Sequence, residues 1–134
     1  MEGVAAVPHN VVVPLLGSPD PKHLVSIACG LAGDDGTVDA VVVIELSPLL
    51  PLDARMDEEE AAARRLLARA RAVADASGVR FVPHIVRARE AASAILELAE
   101  HEDAEIVVAD GGGRRLPRAE RRLVRRAPDR VIIV

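Results

Sequence analysis

The chain has 134 residues, half of them apolar, which suits one domain with an ordinary hydrophobic core and excludes wholesale disorder. It contains one cysteine, one aromatic residue and no apolar run near the ~20 residues of a membrane helix, which excludes an internal disulfide, base stacking on aromatic side chains and a bilayer span. The net charge of −4 excludes a generic polyanion-binding protein, although residues 114–130 carry eight arginines against two acidic residues, a net charge of +6.

Strand-like and helix-like segments alternate along the chain. Residues 1–9 are expected to be a flexible lead, and a buried strand follows at residues 11–16. Ser18 is the predicted N-cap of the first helix, with Pro19 at its first helical position and its end near Gly33. The later predicted elements are a strand at 39–46, a helix from about 57 to 77 capped by Gly78, a strand at 80–86, a helix at 90–102, a strand at 105–110, a helix over 116–127 and a strand at 131–134.

This alternating order predicts one α/β domain spanning residues 1–134. Strands that are apolar on both faces, separated by amphipathic helices, indicate an open and mostly parallel five-stranded sheet with helices on both faces. In such sheets, ligands bind beyond the carboxyl ends of the strands, where the strand order reverses. The candidate site therefore comprises residues 16–18, 46–47 and 110–113.

Several segments resemble the universal stress protein family. Residues 11–18, Val-Val-Val-Pro-Leu-Leu-Gly-Ser, resemble its first strand, which usually reads V-P-x-D-G-S. Residues 104–108, Ala-Glu-Ile-Val-Val, resemble its A-D-L-I-V strand, and residues 126–134 resemble its terminal H-A-P-C-P-V-L-V-V. The likeness covers residues 10–134 and is carried by the order and spacing of these segments. It implies a Rossmann-like sheet of the adenine nucleotide alpha hydrolase-like type, with strand order 3-2-1-4-5.

The family that this chain resembles also has a nucleotide-binding motif, and this chain departs from it. Many family members bind ATP with an Asp at the end of strand one and a loop patterned G-x2-G-x9-G-[ST], whose backbone N–H groups close on the phosphates. Here the Asp position is Leu16, only three residues separate Gly113 from Pro117, and Pro117-Arg118 replaces the final Gly-Ser. Because proline has no N–H donor, we predict a member outside the ATP-binding branch, with no cofactor.

The glycine-rich loop is a candidate anion site. Its glycines, followed by two arginines, could form an anion nest at a helix start, although a loop that simply needs positive φ angles explains the same residues. The basic face of the last helix likewise fits either a solvated surface or a partner-binding patch. The residues of the candidate ligand or anion site are Gly17, Ser18, Gly111, Gly112, Gly113, Arg114 and Arg115.

The sequence offers no evident catalytic or metal site. The four histidines are dispersed and show none of the short spacings of metal ligands, and no cysteine cluster accompanies them. The carboxylates at residues 57–60 suit the amino terminus of a helix, where the helix dipole favours them. Ser18 lies outside a G-x-S-x-G elbow. We therefore predict no catalytic residue, no metal ligand and no enzymatic activity.

The leading interpretation is a non-catalytic, cytoplasmic stress-response or regulatory module without a nucleic-acid partner. The single cysteine fits a reducing cytoplasm. One alternative is a nucleotide- or anion-responsive switch, or a weak nucleotide hydrolase, that uses the loop at residues 111–115. Another is a regulatory domain of an amino-acid or ion transporter, because residues 45–52, Glu-Leu-Ser-Pro-Leu-Leu-Pro-Leu, resemble the E-x-P-x-x-L-P-L stretch of stress-type domains fused to permeases and antiporters.

The last predicted strand suggests a homodimer. It is wholly apolar, follows Arg130 without a further charge, and is expected at an edge of the sheet, where unpaired backbone groups invite another strand. The family resemblance implies antiparallel pairing of two such strands across a two-fold axis. The predicted interface residues are Val131, Ile132, Ile133 and Val134.

Overall fold

The computed structural model describes residues 9–16, 20–111 and 117–134, which form five strands and four helices in strict alternation. The expected lead at residues 1–9 lies outside this part of the chain except for His9. The elements are β1 (Asn10–Pro14), α1 (Lys22–Ala32), β2 (Thr37–Glu45), α2 (Asp57–Ser77), β3 (Arg80–Ala88), α3 (Ala91–His101), β4 (Ile106–Ala109), α4 (Arg118–Arg126) and β5 (Val131–Ile133).

The five strands form one parallel sheet in the order β3-β2-β1-β4-β5. The predicted fold class and strand order are therefore confirmed. The longest pairing joins β2 to β3 over nine residues, from Thr37 opposite Arg80 to Glu45 opposite Ala88. The strand order reverses between β1 and β4, which places the crevice expected for a ligand at the carboxyl ends of these two strands.

Helices cover both faces of the sheet and bury two apolar clusters. On one face Val11 and Val13 of β1 pack against α1 and α2, where Ala28 and Ala70 are fully buried. On the other face Val12 packs among residues of α3 and α4, including Ile95 and Leu123. Alternate residues of β1 thus serve opposite clusters, which explains why this strand is apolar throughout.

The ends of two helices show one success and one failure of the sequence prediction. Gly78 is the predicted left-handed cap of α2, with φ +72° and its N–H directed at the carbonyls of Ala74 and Asp75. The start of α1 was predicted wrongly, because Pro21, and not Ser18, occupies the N-cap position. A proline disfavours helical geometry in the residue before it, which favours a helix that starts after Asp20.

Smaller boundary differences concern the strands and the last helix. β2 begins at Thr37 and β3 extends to Ala88, so both are longer than predicted, whereas β4 is shorter. α4 begins at Arg118, and the predicted helix position Leu116 lies outside the described residues. Among the helices described, none combines the length and the apolar character needed to cross a bilayer.

Candidate functional site

A cavity of about 500 Å³ lies at the carboxyl ends of β1 and β2, beside the point where the strand order reverses. Its wall is mostly aliphatic and is built by the ends of these strands together with α2 and the first residues of α3 and α4. Two glutamates, Glu45 and Glu59, are the charged residues of the wall described by the structure, and no lysine or arginine is among the described lining residues.

Leu16 borders this cavity at the position where the ATP-binding pattern has an aspartate. The N–H of Leu15 donates a hydrogen bond of 2.8 Å to the carbonyl of Val41, which continues the β1–β2 pairing past the end of β1. Leu16 follows directly, lines the cavity and packs against the cluster under α3 and α4. This position therefore supplies an apolar contact and no carboxylate acceptor.

Glu45, the last residue of β2, serves the amino terminus of α3. Its Oε2 accepts a hydrogen bond of 2.7 Å from the N–H of Ala91, the first residue of that helix. Glu90 occupies the N-cap position, but its side chain makes no hydrogen bond to a backbone N–H of the helix. A carboxylate from a neighbouring strand thus satisfies a free helix N–H and faces the positive end of the helix dipole.

Two arginines at the end of β3, Arg87 within the strand and Arg89 just after it, hold the loop between β2 and α2. The guanidinium of Arg87 donates to the carbonyls of Leu52 (3.1 Å) and Ala54 (2.5 Å) and pairs with Glu60. Arg89 donates to the carbonyls of Ser47 (2.5 Å) and Leu50 (2.6 Å). The loop is therefore tied down at both ends.

The tied loop leaves three leucines exposed to solvent. The exposed fraction is 93% for Leu49, 42% for Leu50 and 47% for Leu52. These residues belong to the segment that resembles the stretch found in transporter-linked stress domains. They lie in the loop between Glu45 and Met56, both of which line the switch-point cavity.

Gly111 is the one residue of the candidate anion site that the structure describes. Its N–H donates a hydrogen bond of 2.7 Å to the carbonyl of Val134, so this donor is occupied by the end of β5. A Cβ at Gly111 would lie 3.0 Å from that carbonyl oxygen and 3.1 Å from Cγ2 of Ile133, which accounts for a residue without a side chain. The other proposed anion-site residues, Gly17, Ser18, Gly112, Gly113, Arg114 and Arg115, lie outside the described residues, and their role stays a prediction.

The basic face of α4 is partly used inside the fold. Arg122 and Arg126 both pair with Glu90, at 3.1 and 2.5 Å. The hydrogen bonds from Arg126 and Ser93 lower the pKa of Glu90 to about 2. This helix therefore contacts the start of α3 through charge as well as through its apolar side.

A cluster of three polar side chains lies away from this crevice, and the sequence analysis missed it. Oδ1 of Asp39 lies 2.8 Å from Nε2 of His84, and the same nitrogen lies 3.9 Å from Oε1 of Glu102. Asp39 is only 3% exposed, and burial raises the pKa of its carboxyl group, against the lowering effect of His84. The one signal in the sequence was an aspartate within an otherwise apolar strand, a position where this residue is rare.

Comparison with known proteins supports the family assignment that the motifs suggested. The sequence model of the universal stress protein family matches residues 8–134. A search of curated proteins finds no match to the sequence.

Solved structures share the fold over almost the whole chain. A universal stress protein from Archaeoglobus fulgidus superimposes with a TM-score of 0.74 at 18% identity, covering 95% of this chain and 93% of that one. The universal stress protein from the same organism in complex with dAMP gives 0.73 at 19% identity, over 97% and 98% of the two chains. A universal stress protein in complex with cAMP gives 0.73 at 22% identity, over 96% and 98%. These likenesses show the fold, and the match of the family model over residues 8–134 shows that the chain belongs to the universal stress protein family.

Proposed function

We propose that the chain is a non-catalytic regulatory module of the universal stress type that does not use ATP. The observation that carries this proposal is the chemistry of the switch-point cavity. Leu16 borders it where the ATP pattern needs a carboxylate, and its described charged residues are two glutamates. Phosphate groups are bound by cations, by backbone N–H groups and by helix amino termini, whereas carboxylates repel them.

The structure supports a structural role for the groups that could otherwise act on a nucleotide. Glu45 is held by the N–H of Ala91, and the N–H of Gly111 is held by Val134. A general base or a phosphate donor set would need these groups directed at a ligand. We infer that this cavity is not a catalytic centre and that the module acts by contact with another molecule.

Calorimetric titration with Mg-ATP tests the proposal. Loss of the charged acceptor, of the long glycine loop and of one backbone donor should together weaken binding by more than ~4 kcal/mol, or roughly a thousandfold. We therefore expect no saturable binding of ATP below ~100 µM. The same titration with the Archaeoglobus fulgidus protein that was solved with dAMP, using that nucleotide, is the positive control. Saturation of this chain at low micromolar ATP would contradict the proposal and favour a nucleotide-responsive switch.

The exposed leucines favour a second function, that of a transporter-associated regulatory domain. Leu49 is 93% exposed although the surrounding loop is held by four arginine hydrogen bonds to backbone carbonyls. Three exposed leucines on one tied loop are a candidate protein-binding surface. A permease or antiporter gene next to the gene for this chain would support this function.

A further inference from the structure

The polar cluster of Asp39, His84 and Glu102 lies on the α3 face of the sheet, toward the amino ends of the strands. Asp39 is the neighbour of Val12 in the β1–β2 register, and His84 is the neighbour of Val41 in the β2–β3 register; both valines pack under α3. Glu102 directly follows α3, and its carbonyl accepts a hydrogen bond from Nδ2 of Asn10, the first residue of β1. The cluster therefore lies at the amino ends of the strands, whereas the switch-point cavity lies at their carboxyl ends. We propose that these three side chains bind one divalent transition-metal ion, with Zn²⁺ as the best fit.

The distances suit a common metal position. One nitrogen and two carboxylate oxygens lie within 4.8 Å of one another, with separations of 2.8 Å and 3.9 Å from Nε2 of His84. Tetrahedral zinc with bonds of 2.0–2.2 Å holds its ligand atoms about 3.3 Å apart. The two separations from Nε2 lie on either side of this value and all three atoms lie within 4.8 Å of one another, so the side chains would have to adjust around an ion to coordinate it.

The charges of the cluster explain why a cation fits better than a simple ion pair. His84 alone would satisfy the buried carboxylate of Asp39. Glu102 adds a second carboxylate, whose Oε1 lies 3.9 Å from the same nitrogen, so two carboxylates share one imidazole. Two negative charges this close together repel each other. A divalent cation between them would remove this repulsion and compensate the burial of Asp39.

The site is anchored but reachable from solvent. The backbone of Glu102 is held at both ends, since its N–H donates to the carbonyl of Leu98 at 2.9 Å and its carbonyl accepts from Asn10. The side chains of His84 and Glu102 are 20% and 30% exposed, so an ion can enter and water can take the fourth position. An imidazole ligand selects zinc and related transition metals, whereas Mg²⁺ and Ca²⁺ prefer oxygen ligands alone.

Titration of the full chain with Zn²⁺ tests this site. We expect one ion per chain and a rise in the melting temperature of several degrees at saturating Zn²⁺, because an ion that binds only the folded state stabilises it. H84Q and E102Q should each weaken Zn²⁺ binding at least tenfold and reduce the melting shift. Mg²⁺ in the same titration should bind far more weakly than Zn²⁺.

The chain contains a matched control pair. Nδ1 of His9 lies 2.8 Å from Oε2 of Glu105, so this pair also joins an imidazole to a carboxylate at the same distance. These two side chains are 33% and 56% exposed, and among the described residues no third ligand lies with them. H9Q and E105Q should therefore leave the Zn²⁺ affinity unchanged. If H84Q does not fold, E102Q decides the matter through the visible absorption of Co²⁺, which should be intense for the parent chain and lost in the variant. A parent chain without saturable Zn²⁺ binding, E102Q that binds as the parent does, or Mg²⁺ bound as tightly as Zn²⁺ would each overturn the proposal.

Discussion

Glu120 is a buried acid in a helix that is otherwise strongly basic. It lies in the first turn of α4 and is only 2% exposed. Burial raises the pKa of its carboxyl group, and the negative charge of Asp110 raises it further. The folded state therefore holds the proton more tightly than the unfolded state does, so ionisation of this group at neutral pH opposes folding.

We predict that E120Q increases the free energy of unfolding at pH 7. The gain should shrink as the pH falls through the raised pKa of the folded protein toward the ordinary glutamate value of about 4.3, because both states then carry the proton. Urea denaturation of parent and variant between pH 7 and about pH 3 measures this difference. A gain that persists unchanged at the acidic end would contradict the ionisation argument and point to packing instead.

Glu90 is the matching control, because its pKa is lowered by the fold where that of Glu120 is raised. Its pKa of about 2 lies below the ordinary value because Arg126 and Ser93 donate hydrogen bonds to its carboxylate. The ionised form is thus favoured by the fold, so this glutamate contributes stability above pH of about 4.3 and loses it as the pH falls toward 2. E90Q should lower stability at neutral pH, by an amount that decreases in high salt because the pair is partly exposed.

The cap of α3 illustrates how one element depends on another. The N–H of Ala91 donates to Glu45 at the end of β2, so the start of this helix is satisfied from outside its own sequence. We predict that E45A lowers the free energy of unfolding by ~0.5–2 kcal/mol, the usual cost of a lost amino-terminal cap. Glu97 lies exposed in the same helix, and E97A should change stability by less than ~0.5 kcal/mol in the same urea titration. An E45A effect no larger than that of E97A would show that the hydrogen bond contributes nothing.

The elements that could be predicted from the sequence are those whose signal is local. Buried parallel strands appear as apolar runs. α2 begins with four acidic residues and is followed by the cap Gly78, so its bounds were predicted closely. The start of α1 was wrong because Ser18 has the chemistry of a cap, whereas the restriction imposed by Pro21 on the preceding residue decides where the helix begins.

The contacts that could not be predicted are those created by strand register. Asp39 and His84 come from different strands, and Glu102 follows a helix, so no spacing in the sequence connects them. Glu45 was seen as part of a loop motif, and its role as a cap requires knowing that β2 ends beside the start of α3. Parallel topology predicts a crevice at the carboxyl ends of β1 and β4. The described cavity lies on the β1–β2 side of that point, and of the predicted site residues that the structure describes only Leu16 lines it.

At the scale of the whole molecule, the two edge strands of the sheet differ. β3 is nine residues long, contains Pro83 and carries the charged Arg80 and Arg87. β5 has three residues, and the residues around its end, Ile132, Ile133 and Val134, are 37–38% exposed. Charge and proline protect an edge against association, whereas an uncharged apolar edge invites it. We propose that two chains associate through β5.

A homodimer through β5 should therefore be disrupted by I132D and not by I85D. One side of β5 is paired with β4, from Val107 opposite Val131 to Ala109 opposite Ile133. Among the described residues no strand pairs with its other side, which is where a second copy would add. In a two-fold interface each substitution acts twice, and I132D would bury two unpaired charges close to the axis. Ile85 on β3 is the matched control, since its exposed fraction is 36% against 38% for Ile132. Sedimentation equilibrium at micromolar concentration should show a dimer for the parent and I85D and a monomer for I132D. A monomeric parent would exclude the dimer, and dissociation by I85D instead of I132D would move the interface to the opposite edge of the sheet.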